Sequence, residues 1–310
     1  MDGPFATPQK TFIEVAELWV PTDGVLALHS GSYGPHKEFE ELSGCETFAK
    51  GAGLPGKAWD EARPVVLKAF EGSYFRRTEA AHRAGLTSAV ALPVFNGKDL
   101  KAVLVVFCAD DDARIGAIEV WKTASDLLGL DDGYYGAAEH FEWVSRHSQF
   151  PRGQGLPGGV LASATPLLMR NLGSSYGFVR SESAGQAGLT MGLGMPVPTP
   201  TDEDYVVTLL SARGTPIAQR FEIWDARKAK VGTESAAVLI DGICAKEGAL
   251  WDAENPRKVS AWMGHIGKVI GSGLPVLASG KAVTVAGYDQ LVALPIYQGG
   301  NLSHVVAWYC

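Results

Sequence analysis

The chain repeats itself. Gly53-Leu54-Pro55-Gly56 returns as Gly155-Leu156-Pro157-Gly158, 102 residues later, and Phe48-x-x-Gly51 returns as Phe150-x-x-Gly153 at the same offset. Ala84-Gly85-Leu86 and Leu92-Pro93-Val94 return as Ala187-Gly188-Leu189 and Met195-Pro196-Val197, now offset by 103. A fainter third copy keeps the register, because Gly287 lies eight residues before Pro295, the interval that separates Gly85 from Pro93 and Gly188 from Pro196. Each copy opens on a strand-like segment that carries a tryptophan, namely Trp19, Trp121 or Trp224. A fixed period constrains a fold strongly, since every copy must form the same supersecondary unit. Length alone suggests two domains for 310 residues. The period replaces them with three repeats, at 11–112, 113–215 and 216–310.

Within the first repeat, Glu14 to Val20 alternates as a half-buried strand, Thr22-Asp23-Gly24 turns, and Val25 to His29 returns. Phe39 to Phe48 has helical spacing, which the glycines of 51–56 break before Lys57 to Ala62 resumes for one turn. Pro64 opens a strand at Val65-Val66-Leu67, and Glu79 to Ala84 forms a short helix. Ser88 to Phe95 and Leu100 to Cys108 then read as an apolar hairpin about Asn96-Gly97, a pair suited to a type I′ turn. The third repeat turns at Gly299-Gly300, and the second has the longer, acidic Pro198 to Asp204. The fold class is therefore α+β: in each repeat an antiparallel sheet with short helices. No long helical pattern fits between Cys108 and Ile115.

Composition narrows the function. At 46% hydrophobic and 20% charged the chain can bury a core, and 37 glycines, about 12% against a usual 7%, are accounted for by repeated turns. A formal charge of −7 argues against nucleic acid or an anionic membrane as partner. No apolar run approaches a membrane span, and residues 1–11 lack the pattern of a secretory leader. Cys45, Cys108, Cys244 and Cys310 are scattered without CxxC spacing, so neither a disulfide framework nor a zinc site is expected. The expected location is a reducing intracellular compartment, with a processed organellar chain as the alternative. Cys108 and Cys310 fall at the ends of final strands where the second copy has Ala212, a pattern of small buried residues.

Phe48, Gly51, Gly53 to Gly56 and Trp59, followed by Ala84 to Leu86 and Ala91 to Val94, resemble the GAF family. The stretch from Ala16 to Phe95 is also similar to GAF-like regions of some plant transcription factors, without their DNA-binding segments. The resemblance is strong in the first copy, clear in the second and weak in the third. It implies an antiparallel sheet with helices on its face and a small-molecule pocket between them. The long flanking helices through which such domains usually dimerise are missing, and no effector pattern follows the repeats. No Cys-His pair suits bilin attachment, and Cys45 and Cys108, 63 residues apart, do not form the clustered pair that a methionine sulfoxide reductase of this fold needs.

In the family, the segment between the proline strand and Ala-Gly-Leu closes over the ligand. Here it aligns Tyr74 with Tyr176 and Arg77 with Arg180, with Arg76 and Phe178 beside them as further candidate ligand contacts, an arginine beside aromatics that suits an anion. The competing reading is an Arg-Glu pair capping a short surface helix. Only 11 residues separate Pro275 from Gly287, so the third copy cannot build the same lid. Gly53, Pro55, Gly56, Trp59, Gly155, Pro157 and Gly158 are expected to be structural. The Gly-Leu-Pro-Gly runs are expected to follow a helix, which makes them unlike phosphate-binding loops. The seven histidines form no metal-ligand spacing. No catalytic residues, cofactor or metal are expected, and the chain is read as non-enzymatic.

Two functions fit. The first is a small-molecule-sensing or regulatory interaction module. The second is a structural protein that self-assembles through strand edges and repeat surfaces into a sheet, tube or compartment-coating lattice. Open edges template pairing with another chain, and the apolar final strands Val103 to Cys108 and Val305 to Cys310 are the candidates. The partners expected are the chain itself, another protein or a small-molecule ligand.

Overall fold

The tryptophan-bearing segments become the central strands of three antiparallel sheets. The computed structural model describes residues 10–109, 113–232 and 235–310; residues 1–9 and the expected boundary at residue 112 lie outside them. The first sheet contains β1 (Ile13–Thr22), β2 (Val25–Ser32), β3 (Thr47–Ala49), β4 (Val65–Leu67), β5 (Leu86–Asn96) and β6 (Asp99–Ala109). The second contains β7 (Ile115–Ala124), β8 (Leu127–Gly136), β9 (Gln149–Pro151), β10 (Leu167–Arg170), β11 (Leu189–Val197) and β12 (Tyr205–Ala212). The third contains β13 (Arg220–Asp225), β14 (Ala236–Cys244), β15 (Gly248–Ala249), β16 (Lys258–Ser260), β17 (Val276–Ser279), β18 (Gln290–Gln298) and β19 (Asn301–Tyr309). The first two run β3-β2-β1-β6-β5-β4 and β9-β8-β7-β12-β11-β10. The third follows the same path, β15-β14-β13-β19-β18-β17, with β16 pairing β14.

Short helices cover one face of each sheet: α1 (Lys37–Gly44), α2 (Gly53–Glu61) and α3 (Thr78–Arg83), then α4 (Glu139–Arg146), α5 (Gly155–Ser163) and α6 (Ser181–Gln186), and finally α7 (Gly264–Ser272). Among the described residues no helix exceeds nine residues, and none is long and apolar enough to cross a membrane. Two local expectations need correction. The helix predicted over 39–48 stops at Gly44, and Phe48 lies in β3 with its ring against Trp19 at 4.8 Å. The Gly-Leu-Pro-Gly runs then follow a strand and form the first turn of a helix, where proline lacks only an N–H that has no intrahelical partner.

The last glycine of each run is needed for close approach. A Cβ on Gly56 or Gly158 would lie 2.2 Å from the carbonyl oxygen of Ala49 or Pro151. Gly267 of the third sheet stands in the same relation to Ser260, at 2.3 Å. The hairpin at 96–99 also differs from expectation: Asn96 pairs with Asp99, so Gly97-Lys98 is the loop. Glycine at its first position, with φ +61°, suits a type II′ turn.

The opposite faces of the sheets meet. Leu92, Val106, Leu193, Leu209, Leu294 and Trp308 belong to one buried cluster drawn from all three sheets, and β5, β11 and β18 contact one another in every pairing. Pro93, Pro196 and Pro295 ring a dimple of only about 20 Å³ where these strands converge. Each proline lies beyond the stretch over which its strand pairs with β4, β10 or β17, so no ladder bond is lost on that side. The arrangement closes as a ring, with β4 beside β8 and β17 beside β2, and Arg170 pairs with Asp241 between the second and third sheets.

This packing overturns the edge-strand expectation for the final strands. Both β6 and β19 are central, and their unbroken apolar runs follow from burial on two faces. The true edges, β3, β4, β9, β10, β15 and β17, are two to four residues long. Strand register also moves one assignment: Cys108 faces Ser88, and the matching pair in the second sheet is Met191 with Ser211, not Ala212.

Candidate functional site: buried arginine–glutamate pairs

Glu17-x-Trp19 in β1, Glu119-x-Trp121 in β7 and Glu222-x-Trp224 in β13 recur at equivalent positions. A two-residue period puts each acid and its tryptophan on one face of the strand, here the face beneath the helices. The Glu17 carboxylate accepts hydrogen bonds from Trp19 Nε1 at 3.0 Å and the Tyr33 hydroxyl at 3.2 Å. Arg77 binds it as a fork, through Nη1 at 2.5 Å and Nη2 at 2.9 Å. Nη1 also reaches the Ser43 hydroxyl. The guanidinium carbon is 4.6 Å from the Phe39 ring centroid and 5.5 to 5.6 Å from those of Phe75, Trp19 and Phe107.

The second sheet repeats the arrangement. Glu119 accepts from Trp121 Nε1 at 3.1 Å, the Tyr135 hydroxyl at 3.1 Å and the Thr208 hydroxyl at 2.7 Å. Arg180 binds it through Nη2 at 2.9 Å and through Nη1, which also meets Ser145. Phe141, Trp121, Phe178 and Phe150 surround this guanidinium at 4.6 to 5.5 Å. Burial alone would push the Glu119 carboxyl up, but Arg180, Thr208 and Ser145 outweigh it and hold it below the usual carboxylate range. Burial first, then the neighbouring carboxylate, pushes the Tyr33 and Tyr135 hydroxyls up, so both stay protonated donors.

The third sheet lacks the segment that supplies Arg77 and Arg180, as the short interval after Pro275 leads one to expect. Its cation comes from the strand itself: Arg220, two residues before Glu222, donates from Nε at 2.8 Å and Nη2 at 2.5 Å. Trp224 Nε1 and the Tyr309 hydroxyl complete the acid's partners, at 2.9 and 3.1 Å.

The six residues aligned as ligand contacts therefore separate. Arg77, Arg180 and Phe178 are buried, while Tyr176 is fully exposed. Tyr74 is about a third exposed beneath the Lys57 ammonium, 4.9 Å from its ring centroid. Arg76 lies at the surface beside Glu46, 3.6 Å away. The competing expectation of a surface helix cap also fails: Arg77 and Arg180 precede α3 and α6 but make no side-chain cap bond, and their acids lie across the interior. Trp59 is half-buried against the first sheet's core. The glutamates were missed in the sequence, although Glu-x-Trp in all three copies was the available signal.

Cys45 is exposed, Cys108 and Cys244 are buried and Cys310 is half-buried. Among the described residues no group of three or more His, Cys, Asp or Glu side chains could hold a metal ion. No protein-family model and no curated protein matches the sequence. Solved structures similar to part of the chain include the A. aeolicus nlh2 GAF domain, 22% identical over 32% of this chain with a TM-score of 0.27. Others are the reduced free methionine-R-sulfoxide reductase of Staphylococcus aureus, 20% identical over 33% with a TM-score of 0.26, and the GAF domain of a Coxiella burnetii phosphoenolpyruvate-protein phosphotransferase, 18% over 31% with a TM-score of 0.26. The chain spans 59%, 60% and 56% of these three chains. At this identity and TM-score the likenesses assign no activity to the chain.

Proposed function

We propose that the chain is a non-enzymatic binding and regulatory module, built of three tandem GAF-like units at 11–112, 113–215 and 216–310. The observation that carries this reading is the filling of the space between sheet and helices. In the first two units a guanidinium of the chain's own lies in an aromatic box and forks onto a buried carboxylate. Such a pair is structural, and recognition then falls to surfaces and junctions between units. A single core shared by three sheets suits this role, since it holds those surfaces in fixed relation.

Self-assembly is the second reading. It rests on Trp143, Trp251, Trp262 and Met263, each more than half exposed, because exposed aromatic and methionine side chains are common interface anchors. Trp262 is also held at φ +70°, where the other two sheets have Gly51 and Gly153. Sedimentation over a wide concentration range, together with melting of the protein against fractionated metabolites, separates the two. A monomer at every concentration removes the assembly reading. A protein whose melting temperature no fraction raises, and which captures no partner, removes the binding module.

A further inference from the structure

The junctions between neighbouring sheets are not alike. Where the first sheet meets the second, the Phe12 ring lies against Gly116 and Gly136 and packs on Tyr134, with centroids 5.4 Å apart. Tyr134 faces Ile118 across the β7–β8 ladder, and Ile243 faces Phe221 at the corresponding step of β13 and β14. Ile243 thus stands at the second junction where Tyr134 plugs the first. Without that ring, a cleft of about 450 Å³ opens between the second and third sheets, within the size range of small-molecule sites.

Its floor is apolar, formed by Met191, Ala212, Ala218 and Ile243. Its rim carries Arg213 and Lys246, both exposed, and neither has a carboxylate partner among the described residues. The walls are tied down by backbone bonds: Arg213 N–H to the Gly188 carbonyl at 3.3 Å, Gln219 N–H to that of Tyr309 at 2.8 Å, and Ala245 N–H to that of Gln219 at 2.7 Å. A tied cleft needs little ordering on binding.

We propose that this cleft binds a small organic anion with an apolar body, its carboxylate or phosphate held by Arg213 and Lys246 and its body lying on Met191 and Ile243. The chemistry follows from the lining: an apolar floor rewards burial, and two cations at the mouth without a carboxylate among the described residues, Lys246 resting only over the Tyr288 ring at 5.8 Å, favour an anionic head. The proposal rests on the binding-module reading but sets the site at a junction between units rather than beneath the helices.

The test is calorimetric titration of the full chain with 1-naphthoate and its neutral counterpart 1-naphthamide. The naphthoate is expected to bind at least about tenfold more tightly, since one charge-assisted contact suffices for that ratio. Arg213→Gln with Lys246→Gln is expected to abolish the preference, and Ile243→Tyr, which restores the ring of the first junction, to abolish binding of both. Absence of naphthoate binding, or binding unchanged by the charge variants, overturns the cleft. If Ile243→Tyr does not fold, the surface charge variants decide alone. A failure here leaves the binding module to be judged by the melting and capture experiments.

Discussion

Removing one partner of the Arg180–Glu119 pair tests whether these ion pairs are structural. The two side chains are 1% and 0% exposed. Arg180→Met deletes the cation yet leaves the carboxylate with Trp121, Tyr135 and Thr208 as donors. Breaking a buried pair from one side costs about 3–5 kcal/mol, which for a chain of this size lowers the melting temperature by about 5–8 °C. The pH dependence fixes the sign. In the unaltered protein the Glu119 carboxyl is held low, so its contribution is complete above the unfolded value of about 4.3 and is lost as pH falls through the folded one. In the variant, burial is the largest remaining influence once Arg180 is gone and is expected to raise the folded value despite the remaining donors, so stability falls as pH rises through it. The gap between the two proteins is therefore expected to narrow from about pH 7 to about pH 5. Urea unfolding followed by near-UV circular dichroism reads both effects. Adding Glu119→Gln to Arg180→Met removes the stranded charge and is expected to recover about 1–3 kcal/mol. A pH-independent gap, or a double variant as unstable as the two single losses summed, refutes the structural role.

Ala62, Ala164 and Gly273 end α2, α5 and α7 in the left-handed region. Ala62→Gly and Ala164→Gly are each expected to stabilise the protein by about 0.5–1 kcal/mol in urea unfolding. Gly273→Ala is expected to destabilise it, because the new Cβ would lie 2.8 Å from the Tyr297 hydroxyl oxygen. Gly158→Ala meets a backbone carbonyl rather than a flexible tip, and a loss above about 2 kcal/mol in the same assay is expected. Of the four cysteines, only Cys45 is exposed, and burial pushes the Cys310 thiol up to about 12. A maleimide at neutral pH is therefore expected to label one thiol per native chain and all four after denaturation, counted by mass spectrometry.

Much of the fold was legible because the repeats carry their own punctuation. The proline-led β4 and the third hairpin at Gly299-Gly300 follow from turn residues alone, while the strand expected over 14–20 forms but is not half-buried as its alternation suggests: Val15 to Trp19 are all buried, because its second face meets the other sheets. The helix over 39–48 was overextended because Phe48 continues the helical spacing, and only packing against Trp19 draws it into β3. The apolar runs of β6 and β19 declared burial on both faces, but a sequence cannot say whether the second face meets another chain or another repeat. Here it meets the other sheets of the same chain. The candidate site was half visible: Arg77 and Arg180 were found from their alignment, and their destination was hidden in Glu17 and Glu119, which read as ordinary strand charges until the Glu-x-Trp recurrence is noticed.

The shared central cluster bears on how the protein is made. A chain leaving the ribosome completes its first sheet with β6 about 190 residues, and its second with β12 about 90 residues, before β19 begins, and until then the back faces of β5, β6, β11 and β12 lack the part of their cover that the third sheet supplies. Domains ordinarily fold one by one during synthesis. Here the first sheet cannot bury its back face fully until the third is made, so the order of synthesis leaves part of the shared apolar cluster waiting for its cover.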